Sequence, residues 1–190
     1  MLKFKSLTLK KKGKKHSIQV VYTKQEVNKQ QDIWDAEYSK KTNQYLSQEL
    51  DWEITGLTPH LLWTNELISS DLSLDKSLDY KKYFADHSFA EDERFDNIHI
   101  TKILFFGSEQ LDSVKLFGYK ETSLVSRGFK SPLQTPQITL DREKQDYALL
   151  TILDEQINNL LIELERYLEE GHTLSKNQQM ALFEQVEAEA

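Results

Sequence analysis

Leu150, Leu153, Ile157, Leu160, Leu161, Leu164, Tyr167 and Leu168 recur at spacings of three and four, the period that sets side chains on one face of an α-helix. The pattern predicts a long helix over residues 142–170. Asp141 stands at its N-cap, and Gly171, free to take left-handed backbone angles, stands at its end. Near the other end of the chain the composition turns to β. Residues 2–9 and 16–23, the latter with Ile18, Val20, Val21 and Tyr22, flank a lysine cluster containing Gly13. Glycine supplies the positive φ of a tight turn, so a β-hairpin with a lysine tip is expected over residues 1–25. Residues 97–106 and 113–122 read as two further strands, 124–129 as a weaker one, and 133–140 as a short extended piece imposed by the prolines.

Between these stretches, Trp34, Tyr38 and Tyr45, with Leu46 and Leu50, stand at helical spacing and predict a helix over 27–50. Thr58-Pro59 reads as a second helix start, followed by Leu61, Leu62, Trp63, Leu67 and Ile68. Residues 69–96 are irregular, with eight acidic residues among Tyr80, Tyr83, Phe84, Phe89 and Phe95. A free linker would leave those rings in water, so the insert is expected to pack along one side of the sheet. Strands and helices that do not alternate indicate an α+β fold. The expectation is an antiparallel sheet of about five strands covered by helices, the long C-terminal helix lying over one face. Residues 1–171 then make one domain, and 172–190 a flexible acidic tail.

Charge changes this picture at one end. The net charge is −7, yet the first 25 residues hold eight lysines and no acid, against sixteen basic and thirty-one acidic residues in the remainder. Such a split favours nucleic-acid contact at the basic end. Lys10, Lys11, Lys12, Lys14 and Lys15 are the candidate phosphate-gripping residues. The competing reading is a solvated hairpin tip that guards an edge strand. The aromatic stripes likewise read either as core or as stacking platforms for bases. No apolar run approaches membrane-spanning length and no secretory signal pattern is present, so a cytoplasmic protein is expected. The absence of cysteine removes disulfides and thiol chemistry.

No nucleotide-binding glycine loop, nucleophile elbow or zinc-protease motif occurs, and six glycines leave little for a phosphate cradle. Asp86, His87, Glu91, Asp92 and Glu93 lack ligand spacing and read as solvated charge. The residues therefore point to no catalytic group, metal or cofactor, and a non-enzymatic protein is expected.

What remains is a hydrophobic hook in the polar tail, Gln179-Met180-Ala181-Leu182-Phe183. Glutamine pairs its amide at a pocket rim, and two adjacent apolar side chains fill a dry pocket. Burying Leu182 and Phe183 contributes about 1.5–3 kcal/mol each before ordering costs. A competing arrangement is an amphipathic helix over 175–186 folded onto the body through Met180, Phe183 and Val186. The pentapeptide resembles the peptide by which bacterial polymerases and repair proteins dock on the replication sliding clamp. Methionine for leucine and alanine for serine or aspartate are mild departures. The resemblance implies Gln179, Met180, Leu182 and Phe183 as partner-binding residues and the clamp as partner.

Thr135-Pro136, the long helix, Tyr167-Leu168 and the glutamine-led tail together resemble uncharacterised bacteriophage and prophage proteins over residues 97–184. That likeness implies a phage-type protein in a bacterial cytoplasm. Three functions are open: clamp docking in replication, recombination or host takeover; single-strand nucleic-acid binding or annealing; and inhibition of a host enzyme or defence protein through the acidic surface.

Overall fold

The lysine-tipped segment forms a hairpin longer than its hydrophobic pattern requires: β1 (Leu2–Lys12) pairs antiparallel with β2 (Lys15–Val27) from Leu2↔Lys24 to Lys12↔Lys15. The computed structural model describes residues 2–12, 15–27, 31, 33–42, 46–67, 84, 89, 95, 97–107, 111–122, 128–141, 143–144 and 147–170, with backbone alone at 11, 12, 15, 16 and 170. Leu7, Leu9, Ile18 and Val20 alternate onto one face and are buried there.

The helix predicted over 27–50 is absent. In its place β3 (Ile33–Thr42) pairs antiparallel with β2 along its whole length, and among the described residues of the stretch only the start of α1 (Gln48–Gly56) is helical. Trp34 and Tyr38 are four residues apart, a spacing that satisfies a period of 3.6 and a period of 2 alike. The β2 partner decides between them, with Tyr22 stacked on Tyr38 at 5.6 Å between ring centroids. Ser47 caps α1, accepting from the backbone N–H of Leu50 at 3.2 Å. The Thr-Pro start holds: α2 (Thr58–Thr64) carries Pro59 in its first turn, although Thr58 lies inside the helix and Leu57 is the cap.

β4 (Ile98–Phe106), β5 (Ser113–Thr122), β6 (Phe129–Gln134) and the two-residue β7 (Ile138–Thr139) complete an antiparallel sheet of order β3-β2-β1-β4-β5-β6. β7 shares the β5 edge with β6. At the break between them Thr135 is buried and exchanges two 3.0 Å hydrogen bonds with Leu116, its N–H donating to the Leu116 carbonyl and its hydroxyl accepting the Leu116 N–H. The sheet thus exceeds the expected five strands because a predicted helix became β3 and the piece over 133–140 became the end of β6 plus β7.

α3 (Leu150–Glu170) begins eight residues later than the pattern suggested. Asp141 caps a local turn instead, accepting from the Glu143 N–H at 2.9 Å and pairing with Lys144 at 2.8 Å. The predicted stripe is buried: Leu150, Leu153, Ile157, Leu160, Leu164 and Tyr167 join the core face of the sheet together with Leu50, Ile54 and Leu61 of α1 and α2. Leu161 and Leu168 pack at its margin. The helix has no basic residue in its last turn, and Lys40 of β3 supplies the missing cation.

Phe84, Phe89 and Phe95 of the acidic insert are buried with Leu62, Leu149 and Ile152 in a second cluster, as their aromatic character required. The remaining residues of 69–96, other than these three, and the whole tail over 171–190 lie outside the described residues. Among the described residues no helix is long and apolar enough to cross a membrane.

Candidate nucleic-acid interface

Every helix among the described residues contributes its buried apolar residues to one face of the sheet. The opposite face therefore presents whatever the strand alternation assigns to it. On β5, Val114 and Leu116 point to the core at 0 % exposure, so Lys115, Phe117 and Tyr119 occupy the open side. The registers carry this across the sheet: Lys102 of β4 stands opposite Phe117, His99 opposite Tyr119, and Thr8 of β1 opposite Lys102.

Two ammonium groups lie over the Phe117 ring, with Lys115 Nζ 5.2 Å and Lys102 Nζ 6.0 Å from its centroid. Lys130 of β6 reaches across to Tyr119, its Nζ 4.3 Å from the ring centroid and donating to the phenol oxygen at 3.2 Å. His99 packs against the same ring at 5.1 Å between centroids. Glu121 is the direct cross-strand neighbour of Lys130, yet its carboxylate turns toward His99 Nε2 at 4.0 Å. Elsewhere on the sheet Lys3 pairs with Asp35 at 3.7 Å and Lys5 with Glu37 at 2.5 Å. Near β3 the acids of the open face thus meet lysines, while around β5 the lysines rest on aromatic rings and Glu121 faces His99.

Gly118 separates the two rings. A Cβ there would come within 2.4 Å of the His99 carbonyl oxygen and 2.6 Å of Leu61 Cδ2. Only glycine lets β4 and α2 close on β5 at this point, and that closure fixes where Phe117 and Tyr119 are displayed.

A cleft adjoins this surface. β1 and β4 pair only from Ser6↔Leu104 to Thr8↔Lys102, and just beyond, β4 bulges against β5 between Ile100 and Lys102. Beyond it β1 follows β2 into the long hairpin while β4 stays with β5. The separation leaves a cavity of about 610 Å³ lined by Lys10, Lys102, Lys130, His99 and Tyr119, with Asp51 and Thr55 of α1 behind. Its volume is that of an ordinary small-ligand site. Three lysines against one carboxylate make it suited to an anion.

Of the predicted lysines, Lys10 is exposed and lines this cleft. Lys11, Lys12 and Lys15 have strand backbone at the hairpin end, and Lys14 lies outside the described residues. Gln179, Met180, Leu182 and Phe183 also lie outside them. Phe117, Tyr119, Lys102, Lys115 and Lys130 were not singled out from the sequence. Their signal was present in Val-Lys-Leu-Phe-Gly-Tyr, where the parity that buries Val114 and Leu116 puts Lys115, Phe117 and Tyr119 together. Among the described residues no three histidine, aspartate or glutamate side chains converge as a metal site.

The molecule is, in class, an α+β protein with helices on one face of an antiparallel sheet and a cationic, aromatic patch on the other. No protein-family model matches the chain, and neither a curated protein nor a solved structure is significantly similar to it.

Proposed function

We propose that the protein binds single-stranded nucleic acid on the open face of its sheet. The observation that carries this reading is the display of Phe117 and Tyr119, two residues apart on β5, with Lys102, Lys115 and Lys130 set around their rings. Side chains two apart on a strand stand about 7 Å from each other, a spacing suited to two successive bases of an extended strand. Bases stack on such rings without sequence preference, and cations beside them take the phosphates. Flexible lysines resting on the rings can swing to the backbone as bases replace them. The 610 Å³ cleft and Lys10 continue the cationic track toward the hairpin. Acids are concentrated in the rest of the chain, which limits adhesion of polyanions to this one surface.

Fluorescence anisotropy with a labelled oligothymidine at low salt tests the reading. Binding that Phe117→Ala with Tyr119→Ala weakens at least about tenfold is the expected result, since stacking contributes about 1–3 kcal/mol per base. No binding, or binding indifferent to the pair, rejects it.

A second reading rests on the pentapeptide alone: the tail docks the protein on a bacterial sliding clamp, which would deliver it to replicating DNA. Leu182→Ala with Phe183→Ala is expected to abolish capture by purified clamp and leave the melting temperature unchanged, because apolar anchors dominate such contacts. A matching loss of stability would instead place these residues in the core.

A further inference from the structure

The two edges of the sheet are built differently. β6 is six residues long and carries Pro132, which has no N–H to offer a neighbouring strand. β3 is ten residues long, has no proline, and runs with β2 from Ile18↔Thr42 to Val27↔Ile33 without a register shift. Its outer side pairs with no strand among the described residues. Such an edge is a template for another strand. Ile33 and Trp34 at its start are 66 % and 44 % exposed, apolar area that a partner would cover.

The charges of β3 say which partner. Its first half is acidic, with Asp35 and Glu37, and its second half is basic, with Lys40 and Lys41. An antiparallel copy of the same strand therefore presents opposite charge at both ends. Opposed residues must share a face, so in a twofold pairing the two residue numbers sum to an even value. Centring the axis on Glu37 sets two carboxylates directly opposite, and centring it on Ala36 sets Asp35 against Glu37; like charges so placed repel. Centring on Ser39 also opposes Glu37 to Lys41, but it shortens the pairing to residues 36–42 and leaves Asp35 beyond its end. Centring on Tyr38 opposes Asp35 to Lys41 at both ends, Glu37 to Ser39, and Trp34 to Thr42.

We propose that two copies of this chain join edge to edge through β3, antiparallel, with the twofold axis at Tyr38. The two six-strand paths then form one sheet whose open faces lie on the same side, because opposed residues keep their face. The proposal rests on the edge and its charges and stands apart from the nucleic-acid reading.

The chain has no cysteine, so single introduced thiols report the register directly. Light scattering on the full chain is expected to give twice the 22.3 kDa chain mass at tens of micromolar. Under mild oxidation Tyr38→Cys should form a disulfide dimer faster than Glu37→Cys or Ser39→Cys alone. Tyr38 stacks on Tyr22, so a second arm leaves it in place: mixing Glu37→Cys with Ser39→Cys should give the crossed disulfide. Lys41→Asp should weaken the dimer at least tenfold, and Asp35→Lys with Lys41→Asp should restore it. A monomer at hundreds of micromolar, a dimer indifferent to Lys41→Asp, or thiol pairing that favours Glu37 or Ser39 with itself overturns the proposal.

Discussion

Nε2 of His60 lies 2.8 Å from Oε1 of Gln156 in the fully buried layer between α2 and α3. The Gln156 amide nitrogen donates to the Phe84 carbonyl at 3.2 Å, so its oxygen is the atom that faces the imidazole. Nε2 therefore carries the ring proton, and Nδ1 accepts from the Tyr147 hydroxyl at 2.8 Å. This chain of hydrogen bonds satisfies a neutral histidine and ties the insert, α2 and α3 together. Burial pushes the imidazole down to about 4, with the Gln156 hydrogen bond opposing the shift in part.

A pH dependence of stability follows. Between the unfolded value near 6.5 and the folded value near 4, the unfolded chain binds the proton and the folded chain does not. The contribution is complete above about pH 6.5 and is lost as pH falls toward 4, about 3 kcal/mol across the window. Glu53 acts in the opposite sense, its carboxyl held above the usual range by burial and by Glu163. Urea unfolding at pH 7.5 and 5 is therefore best compared between the wild type and His60→Asn. The fall in stability on acidification is expected to shrink in the variant; an identical fall would remove His60 as its source.

Lys40 closes the far end of α3. Its Nζ lies 3.2 Å from the carbonyl oxygens of both Tyr167 and Leu168 and 5.0 Å from the Tyr167 ring. Cations at a helix C-terminus satisfy orphan carbonyls and the negative end of the dipole. Lys40→Met keeps the stem and removes the charge, and should cost about 1 kcal/mol. Chemical denaturation measures this directly, and a change below a few tenths would show that water caps the helix equally well.

Gly118→Ala should be more damaging than its single methyl suggests. The new Cβ meets a backbone oxygen at 2.4 Å, which cannot rotate away as a side chain would. The expected cost is about 1–3 kcal/mol, read as a lower urea midpoint. If oligonucleotide binding is present, it should weaken with the displacement of Phe117 and Tyr119.

Replacing Lys102, Lys115 and Lys130 with glutamine leaves the core untouched. For a single strand, each neutralised phosphate contributes about −0.7 to the slope of log K against log salt. The triple variant should lose roughly 2 from that slope while its melting temperature stays within a degree or two. An unchanged slope would place the phosphates elsewhere, the hairpin tip being the next candidate.

The periodicity of α3 was legible because eight apolar residues at spacings of three and four fit no other element. The α+β class and the N-terminal hairpin were legible for similar reasons, since Leu7, Leu9, Ile18 and Val20 alternate on either side of Gly13 in the sequence. β3 was not. Trp34 and Tyr38 fit both periods, and only ten residues of ladder with β2 settle the choice, a contact made outside the local sequence. The start of α3 was likewise misplaced, because Asp141 satisfies a turn as readily as a helix cap. The candidate interface depended most on the tertiary structure. The sequence determined that Lys115, Phe117 and Tyr119 share one side of a strand. Which side is open was decided by the three helices among the described residues packing on the other, and the pairing registers alone brought Lys102, His99 and Lys130 to those rings.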